Sequence, residues 1–541
     1  MSRWTTYALL IGVASASFAQ QAGPAAPQDT EIVIPDMMLQ IEELQIPQVR
    51  AVLPEEGELV LGRMSVLLPG AEELYIDEAV FTVPLPGSAQ QFGAPSIFSS
   101  GRLGAGTANH ILGELSLFRL GMSPRFRLRF SHEGIDGYQF IDAGTGYFSH
   151  TNIIDGWFTG GTDRLSSEFE AAFSEEVHGL QGQSDFYSVG LRRTVGNAQM
   201  RFVPDPVISL NVGLNGEYAT RIQSVSGTGP VPSEQEFVIN PAAEGRFGIR
   251  AVDLVVSTSY FLRFLAAGEI PVYQDMDLLA GLDIEFPVSL SASVRAGILW
   301  EPGAQLTYPW SIALDILLGE ALETHIAGGY RVERLRLSDI WAAVPQAGID
   351  ADEGLSELTA DGQWYGSVGA RWSGLTGFAI AAGVDFVSHA AAADILPYNA
   401  ETNRFPIVQL PMQSLTANTS VSWRPNPQVQ IQAGWTGRFM DTTALRPTGS
   451  VSTAVRLADA TERFSAGTEI RTDFFPAVTM PVVGLSGSFA PTDELEFSLE
   501  FSDVLAPFLD VGRPAIGPAV NAGFPFIQPG FRASLFTRIS L

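Results

Sequence analysis

The chain ends in the stretch FRASLFTRISL, residues 531–541, in which apolar and polar side chains alternate. One set of alternate positions is largely apolar: Phe531, Ala533, Leu535, Thr537, Ile539 and Leu541. The other set is mainly polar: Arg532, Ser534, Phe536, Arg538 and Ser540. Successive side chains of a β-strand point to opposite faces of its sheet. The stretch therefore predicts a strand with one apolar face and one polar face.

The same alternation recurs in pairs of segments from about residue 105 onward. Between residues 275 and 286 the even positions are apolar, whereas Asp275, Asp277, Asp283 and Glu285 occupy odd positions. Such segments run for about ten residues, longer than the five or six that are usual in soluble sheets. Ten tilted residues are enough to cross the hydrocarbon core of a bilayer.

The connections between these segments alternate in length. Short turns are predicted near Ser123-Pro124, Pro204-Asp205, Ala251-Val252, Pro287, Gly319-Glu320, Gly374-Leu375, Pro425-Asn426 and Pro491-Thr492. Long loops are predicted between them, at Gln223–Ala242, Leu337–Gly362, Ala390–Pro411 and Ala506–Gly530. Repeated loops of this length count against a compact soluble domain, because most connections in such domains are short.

These features resemble bacterial outer-membrane β-barrel proteins, which alternate short periplasmic turns with long external loops. The resemblance implies an all-β fold over residues 105–541: a large antiparallel transmembrane β-barrel of about 16 strands, within a range of roughly 14–22. It implies contact with outer-membrane lipid and with the barrel insertion machinery. The C-terminal insertion signal would comprise Phe531, Leu535, Ile539 and Leu541. Members of this class more often end in Phe or Trp, whereas this chain ends in Leu541.

Residues 1–19 have the parts of a secretory signal peptide: Arg3, an apolar run from Tyr7 to Ala14, and Ser17-Phe18-Ala19 before the cleavage point. Together with the resemblance, they predict the outer membrane of a Gram-negative-type, diderm bacterium. The absence of cysteine excludes disulfides and thiolate chemistry. The net charge of −28 argues against nucleic acid as a partner.

Residues 20–104 differ in composition and pattern from the rest of the chain. Between Asp29 and Ala79 there are twelve acidic residues against only Arg50 and Arg63. Apolar triplets alternate with prolines, and proline cannot donate a hydrogen bond to a strand ladder. We interpret this segment as an acidic periplasmic leader or a partial plug. Residues 29–84 are a candidate docking segment for a periplasmic protein by strand addition.

One short run just after the signal peptide resembles the TonB box of energy-coupled outer-membrane receptors. It comprises Asp29, Thr30, Glu31, Ile32, Val33 and Ile34. The resemblance implies strand pairing with an energising periplasmic protein. Those receptors, however, follow the box with a plug domain of well over a hundred residues, and such a plug is not evident here.

Charged residues on the polar faces are the candidate functional residues of the barrel, because they would line its lumen. The basic candidates are Arg295, Arg371, Arg438, Arg532 and Arg538. The acidic candidates, which share that face with Asp277, are Asp283, Glu285, Glu494, Glu496 and Glu500. The six histidines are dispersed without metal-ligand spacing, and no catalytic motif is present. We therefore predict no enzyme activity, no metal site and no cofactor.

The predicted function is passage of small solutes across the outer membrane, through a porin-like channel or a receptor-like transporter. A surface binding or adhesion protein, with long loops on a barrel anchor, is the alternative. A secreted soluble β-sandwich or β-solenoid remains a third interpretation of the strand pattern.

Overall fold

The structure, a computed structural model, describes residues 97–541 except 120–122, 139–140, 183–184, 226–230, 267–271, 287–288, 305, 320, 349–359, 398, 400–403, 442–447, 462, 475–480 and 509–528. The predicted signal peptide, the Asp29–Ile34 segment and residues 20–96 of the predicted leader lie outside the described residues. Residues 97–104 belong to the first strand, so the barrel begins before the predicted boundary at residue 105.

Antiparallel strands make up most of the described chain. They are β1 Ile97–Gly106, β2 Ile111–Arg119, β3 Arg125–Asp136, β4 Phe148–Gly161, β5 Leu165–Gly179, β6 Ser188–Asp205, β7 Ile208–Ser224, β8 Val231–Ile249, β9 Val252–Ala266, β10 Tyr273–Phe286, β11 Leu290–Trp300, β12 Trp310–Leu318, β13 Leu322–Glu333, β14 Ala347–Gly348, β15 Asp361–Leu375, β16 Phe378–Ile395, β17 Phe405–Asn426, β18 Val429–Met440, β19 Gly449–Ala458, β20 Phe464–Phe474, β21 Val482–Thr492, β22 Leu495–Ser502 and β23 Arg532–Ser540. One α-helix, α1, spans Leu337–Ala343, and a 3₁₀ turn spans Ala506–Phe508.

The strands close into a barrel. Each long strand pairs with the next along the chain, and β23 returns to pair with β1, where Ser540 lies opposite Ser100. The two-residue β14 pairs only with β17, in parallel. The barrel itself therefore has 22 strands, and its closure leaves no sheet edge without a hydrogen-bonding partner.

The prediction of about 16 strands was wrong, because several strands lie where turns or loops had been expected. Residues 138–196 contain β4, β5 and the start of β6. The turn between β4 and β5, at residues 162–164, lacks proline and glycine. Two predicted loops are also largely strand, since β8 begins at Val231 and the β16–β17 hairpin extends over residues 390–395 and 405–411.

The alternation of connection lengths is confirmed. The eight predicted turns all lie in or beside connections of two to five residues, whereas those at the opposite end range from four to 29 residues. We call these two ends the short-turn end and the long-loop end. The first residues of β1 and the last of β23 both lie at the short-turn end.

The two faces of the sheet differ in chemistry. Large apolar side chains share one face, as illustrated by Leu278 in β10, Val294 in β11 and Leu535 in β23, which are 49, 46 and 57% exposed. Charged residues share the other face, and chain segments crossing between distant strands contact it. In a closed barrel only the inner wall can be contacted in this way, so the apolar face is the outer wall. Among the described residues, no helix is long and apolar enough to cross a membrane.

Candidate functional site: a segment bound inside the long-loop end

The first part of the connection between β13 and β15, residues 334–348, folds back onto the inner wall of the barrel. We call residues 334–348 the mouth segment; it contains α1 and β14. Leu337, Ile340, Trp341 and Val344 recur at helical spacing and are at most 5% exposed. This spacing gives the helix one apolar face, which accounts for its formation between two strands of the barrel.

The apolar face of α1 packs between two parts of the wall that are not neighbours in the sheet. On one side lie Val189 and Leu191 of β6 and Ala219 of β7. On the other side lie residues of the β16–β17 hairpin, including Ile395, Phe405 and Ile407. The mouth segment therefore joins two separate stretches of the inner wall across part of the lumen.

A wall carboxylate caps the start of α1. The helix has no side-chain cap of its own at Arg336. Instead, the two carboxylate oxygens of Glu236 in β8 accept hydrogen bonds from the backbone N–H groups of Leu337 and Ser338, each at 3.0 Å. These donors lack partners within the helix, and a negative charge is favourable at a helix N-terminus.

Arg334 anchors the beginning of the mouth segment to β10. Its Nε and Nη2 atoms donate to both oxygens of Asp275, with distances of 2.6 to 3.0 Å, and Nη2 also lies 2.8 Å from Asp277. The Asp275 side chain is fully buried. Because the guanidinium group engages both oxygens of this carboxylate, the pair is geometrically specific as well as charge-assisted.

A second group of ion pairs holds α1 itself. Glu217 of β7 binds Arg193 of β6 at 2.7 Å and Arg336 of the mouth segment at 3.2 Å. Arg193 also reaches Asp339 in α1, at 3.1 Å. Burial raises the pKa of the Asp339 carboxyl, while the charge of Arg193 acts in the opposite direction. The helix is thus joined to the wall by groups of both signs.

The end of the mouth segment is held by Arg221 of β7. Its guanidinium group donates to the carbonyl oxygens of Pro345 at 2.7 Å and Gln346 at 3.4 Å. Arg221 also lies 3.5 Å from Glu234 of β8, and Glu234 lies 3.1 Å from Arg404, just before β17. The hairpin and the mouth segment are therefore fixed to the same part of the wall.

Most of the predicted lumen residues lie on the inner face, away from this site, and form local pairs. Arg295 lies 3.5 Å from Asp283, and Arg538 lies 3.9 Å from Glu496. Arg532 lies 3.5 Å from Glu133, and Glu500 lies 2.5 Å from Arg102. In the strand register, Arg371 lies opposite Glu323, and Arg438 lies opposite Thr416.

Two predicted lumen residues lie at the short-turn end instead. Glu285 is the penultimate residue of β10, and Glu494 is in the turn between β21 and β22. Of the C-terminal residues, Leu535 and Ile539 lie on the outer wall, and Leu541 is exposed beyond the end of β23. Their role as an insertion signal stays a prediction.

Sequence reasoning missed most of the mouth site, because residues 337–362 read as a long loop. Of the residues that form the mouth site, only Asp277 had been named among the lumen charges. The usable signals were the helical spacing of Leu337, Ile340, Trp341 and Val344 and the preceding arginines. Within the described ranges, no cluster of three or more potential metal ligands is present.

Comparison with known proteins identifies the fold through structure alone. No protein-family model and no curated protein matches the sequence. The ferric enterobactin receptor PfeA of Pseudomonas aeruginosa matches with a TM-score of 0.58 and 11% identity, over 83% of this chain and 81% of that chain. The FrpB iron transporter of Neisseria meningitidis matches with a TM-score of 0.61 and 8% identity, over 83% of each chain.

The copper transporter OprC matches similarly, with a TM-score of 0.58 and 12% identity, over 83% of this chain and 81% of that chain. At these identities the comparisons establish the fold. They agree with the closed sheet, the apolar outer wall and the charged inner wall. The closed 22-stranded sheet with its apolar outer wall has the form of an outer-membrane β-barrel, and the chain shares its fold with these receptors and transporters.

Proposed function

We propose that this barrel transports small solutes across the outer membrane, and that the mouth segment restricts entry at the external end. A sheet of 22 strands is too wide for its own side chains to fill the interior. The inner wall is charged, so the lumen suits water and polar solutes. The long-loop end faces outward in this proposal, as in other outer-membrane barrels.

The observation that carries the proposal is the attachment of the mouth segment to two separated parts of the wall. A loop serving only external adhesion would need no such inward anchoring. Here the anchoring involves a buried apolar cluster, the Arg334–Asp275 pair and the Glu236 cap on α1. These interactions support a restricting role, because they hold folded chain across part of the lumen.

The solved structures with this fold support uptake as the direction of transport. They are named as receptors or transporters for ferric enterobactin, iron and copper. The resemblance of Asp29–Ile34 to a TonB box supports a periplasmic energising protein as the partner. We therefore favour receptor-like, energy-coupled transport over passive diffusion.

The experiment is a conductance measurement on purified protein in planar bilayers. In the test variant, residues 335–348 are replaced by a short Gly/Ser linker. In the control, the connection of residues 441–448, which joins β18 and β19, is replaced in the same way. We expect the test variant to conduct several times more than the wild type, because an obstruction has been removed, and the control to match the wild type.

Two outcomes would count against the proposal. Unchanged conductance in a correctly folded test variant would mean that the mouth segment does not restrict the path. An equal increase in both variants would mean that any change at the long-loop end loosens the barrel.

A further inference from the structure

One part of the outer wall breaks the rule that charged side chains on the strands face the lumen. His132 of β3, Asn152 of β4, Glu175 of β5 and Arg192 of β6 lie opposite one another in the strand register. We call these four residues the outer polar row. In the described strands, no other set of neighbouring ionisable residues occupies the outer wall.

The outward direction of the row follows from its parity with lipid-facing residues. Three residues of the row lie an even number of positions from an apolar residue of their own strand: His132 from Phe130, Asn152 from Ile154, and Arg192 from Met200. The three apolar members are 45, 46 and 48% exposed. The pairings of β3 to β6 show no register irregularity over these positions, and the adjacent Arg193 binds the mouth segment on the inner side.

Hydrogen bonds hold the row in a fixed arrangement. The ring nitrogen Nδ1 of His132 lies 2.7 Å from Oδ1 of Asn152, whose Nδ2 donates to Glu175 at 3.2 Å. Glu175 in turn accepts a bond of 2.6 Å from Nε of Arg192. In the part of the chain that the structure describes, the polar contacts of Arg192 involve only Nε, and its side chain is 40% exposed. Its terminal nitrogens thus remain available to a ligand.

A pocket of about 440 Å³ adjoins the row toward the long-loop end. Three of its lining rings are in contact: Phe148 stacks on His150 at 6.1 Å, and Phe148 and Tyr187 lie 5.5 Å apart. Glu175 and Arg192 belong to the same lining. Flat apolar rings therefore lie beside a fixed carboxylate and an available guanidinium group.

The position of this surface determines what can reach it. Toward the long-loop end, the row follows Phe130 and Ile154, the last exposed large apolar residues on the outer wall of β3 and β4, and the half-buried Phe148 lies beyond it. In an outer-membrane barrel, this is the level of the external leaflet's headgroups. The lipid of that leaflet is a glycolipid with a phosphorylated sugar headgroup. Guanidinium groups and imidazole N–H groups bind phosphate oxygens, and aromatic faces pack on the apolar faces of sugar rings.

We propose that the outer polar row and the adjoining pocket form a binding site for the phosphorylated sugar headgroup of the outer-leaflet glycolipid. Arg192 and His132 contact the phosphate, and Phe148, His150 and Tyr187 contact the sugar. Glu175 positions Arg192 and is itself neutralised by it. The inference rests on the outer-membrane location and is independent of the transport proposal.

The test measures binding of purified diphosphoryl lipid A to the full-length protein in detergent by native mass spectrometry. The test variant is Arg192→Gln. The matched control is Arg201→Gln, which removes the same charge from the same strand on the inner wall. We expect Arg192→Gln to weaken lipid A binding at least about tenfold, consistent with the loss of charged hydrogen bonds. Arg201→Gln should bind as the wild type does.

A second variant, Tyr187→Leu, leaves the polar row intact and keeps the proposal testable if Arg192→Gln does not fold. It should also weaken lipid A binding, while the weaker binding of phosphatidylglycerol stays unchanged. Wild-type affinity in folded Arg192→Gln would overturn the proposal. So would an altered oligomeric state of that variant with unchanged lipid binding, because the row would then be an interface between copies of the chain.

Discussion

Single residues decide whether the mouth segment stays against the wall, and Arg334 is the clearest example. Its partner Asp275 is fully buried in the pair, so loss of the arginine would leave its carboxylate without the compensating charge. Removing one member of a buried ion pair typically costs about 3–5 kcal/mol, because it leaves an uncompensated charge. The pair therefore stabilises the docked segment chiefly by preventing that penalty.

We predict that Arg334→Gln loosens the mouth segment without unfolding the barrel. Hydrogen exchange at the backbone amides of residues 337–343 should accelerate by about a hundredfold or more, corresponding to the lower end of that penalty. The control is Arg295→Gln, whose partner Asp283 lies 3.5 Å away and is partly exposed. Equal exchange of the α1 amides in Arg334→Gln and the wild type would contradict this account of docking.

For single residues, the sequence predicted the face of the sheet on which a side chain lies better than it predicted the ion-pair partner of that side chain. The alternation in β10 was sufficient to place Asp277 and Asp283 on the inner wall. It could not show that Arg334, 57 residues away, binds Asp277 while Arg295 binds Asp283. Such pairings depend on how a connection folds back, and no local pattern encodes that path. Asp29–Ile34 and the insertion signal stay predictions.

Among the elements, the junction of β1 and β23 is the one that closes the barrel. Phe536 of β23 is only 2% exposed on the inner wall. Its ring lies 4.1 Å from the Arg102 guanidinium and 5.9 Å from the His110 ring. His110 also contacts Ser534 at 2.7 Å and Glu133 at 3.0 Å, which joins the β1–β2 connection to β23 and β3. These packed groups leave room only for glycine at position 104.

We predict that Gly104→Ala weakens this junction. A Cβ atom at position 104 would overlap the Phe536 ring, which its neighbours hold in place. Overpacking of this kind costs about 1–3 kcal/mol. In an SDS gel, the temperature at which the folded band disappears should fall.

Gly101→Ala, in the same strand, is the matched control, since its nearest neighbouring atom would be 3.7 Å away. Equal thermal resistance of the two variants would show that the Phe536 ring can move aside without loss of barrel stability. The prediction at Gly104 depends on the pairing of the first and last strands, which chain order alone suggested but did not establish.

The elements also show why strand type was easier to predict than strand number. Two-faced alternation is a local property, and it identified β10 and β23 correctly. Strand ends are harder to predict, because β16 and β17 are 18 and 22 residues long and stay paired past the roughly ten residues that a bilayer crossing needs. Past that length an apolar outer face is not required, so the alternation that marks a strand fades while the hydrogen bonding continues.

At the scale of the whole molecule, one closed sheet separates two environments. Its outer wall is apolar except at the outer polar row, and its inner wall carries the charges that a membrane would exclude. The composition, the strand length and the alternating connections were sufficient to predict this arrangement. The partial obstruction at the long-loop end is the feature that only the structure shows.

In the proposed function, the lumen is an aqueous path that the mouth segment restricts. The chain has no cysteine, so a single introduced thiol reports on its own position. Ser293→Cys places a thiol on the inner wall, and Val294→Cys places one on the outer wall, where Val294 is 46% exposed. The most direct measurement is the labelling rate of each thiol by a maleimide dye, added to intact cells and too large for general porins.

We expect slow labelling at position 293, a marked acceleration when residues 335–348 are replaced by a linker, and no labelling at position 294 in either background. Faster labelling at position 294 than at position 293 would mean that the inner and outer walls have been assigned the wrong way round. An unchanged rate at position 293 after removal of the mouth segment would show that the segment does not restrict the lumen.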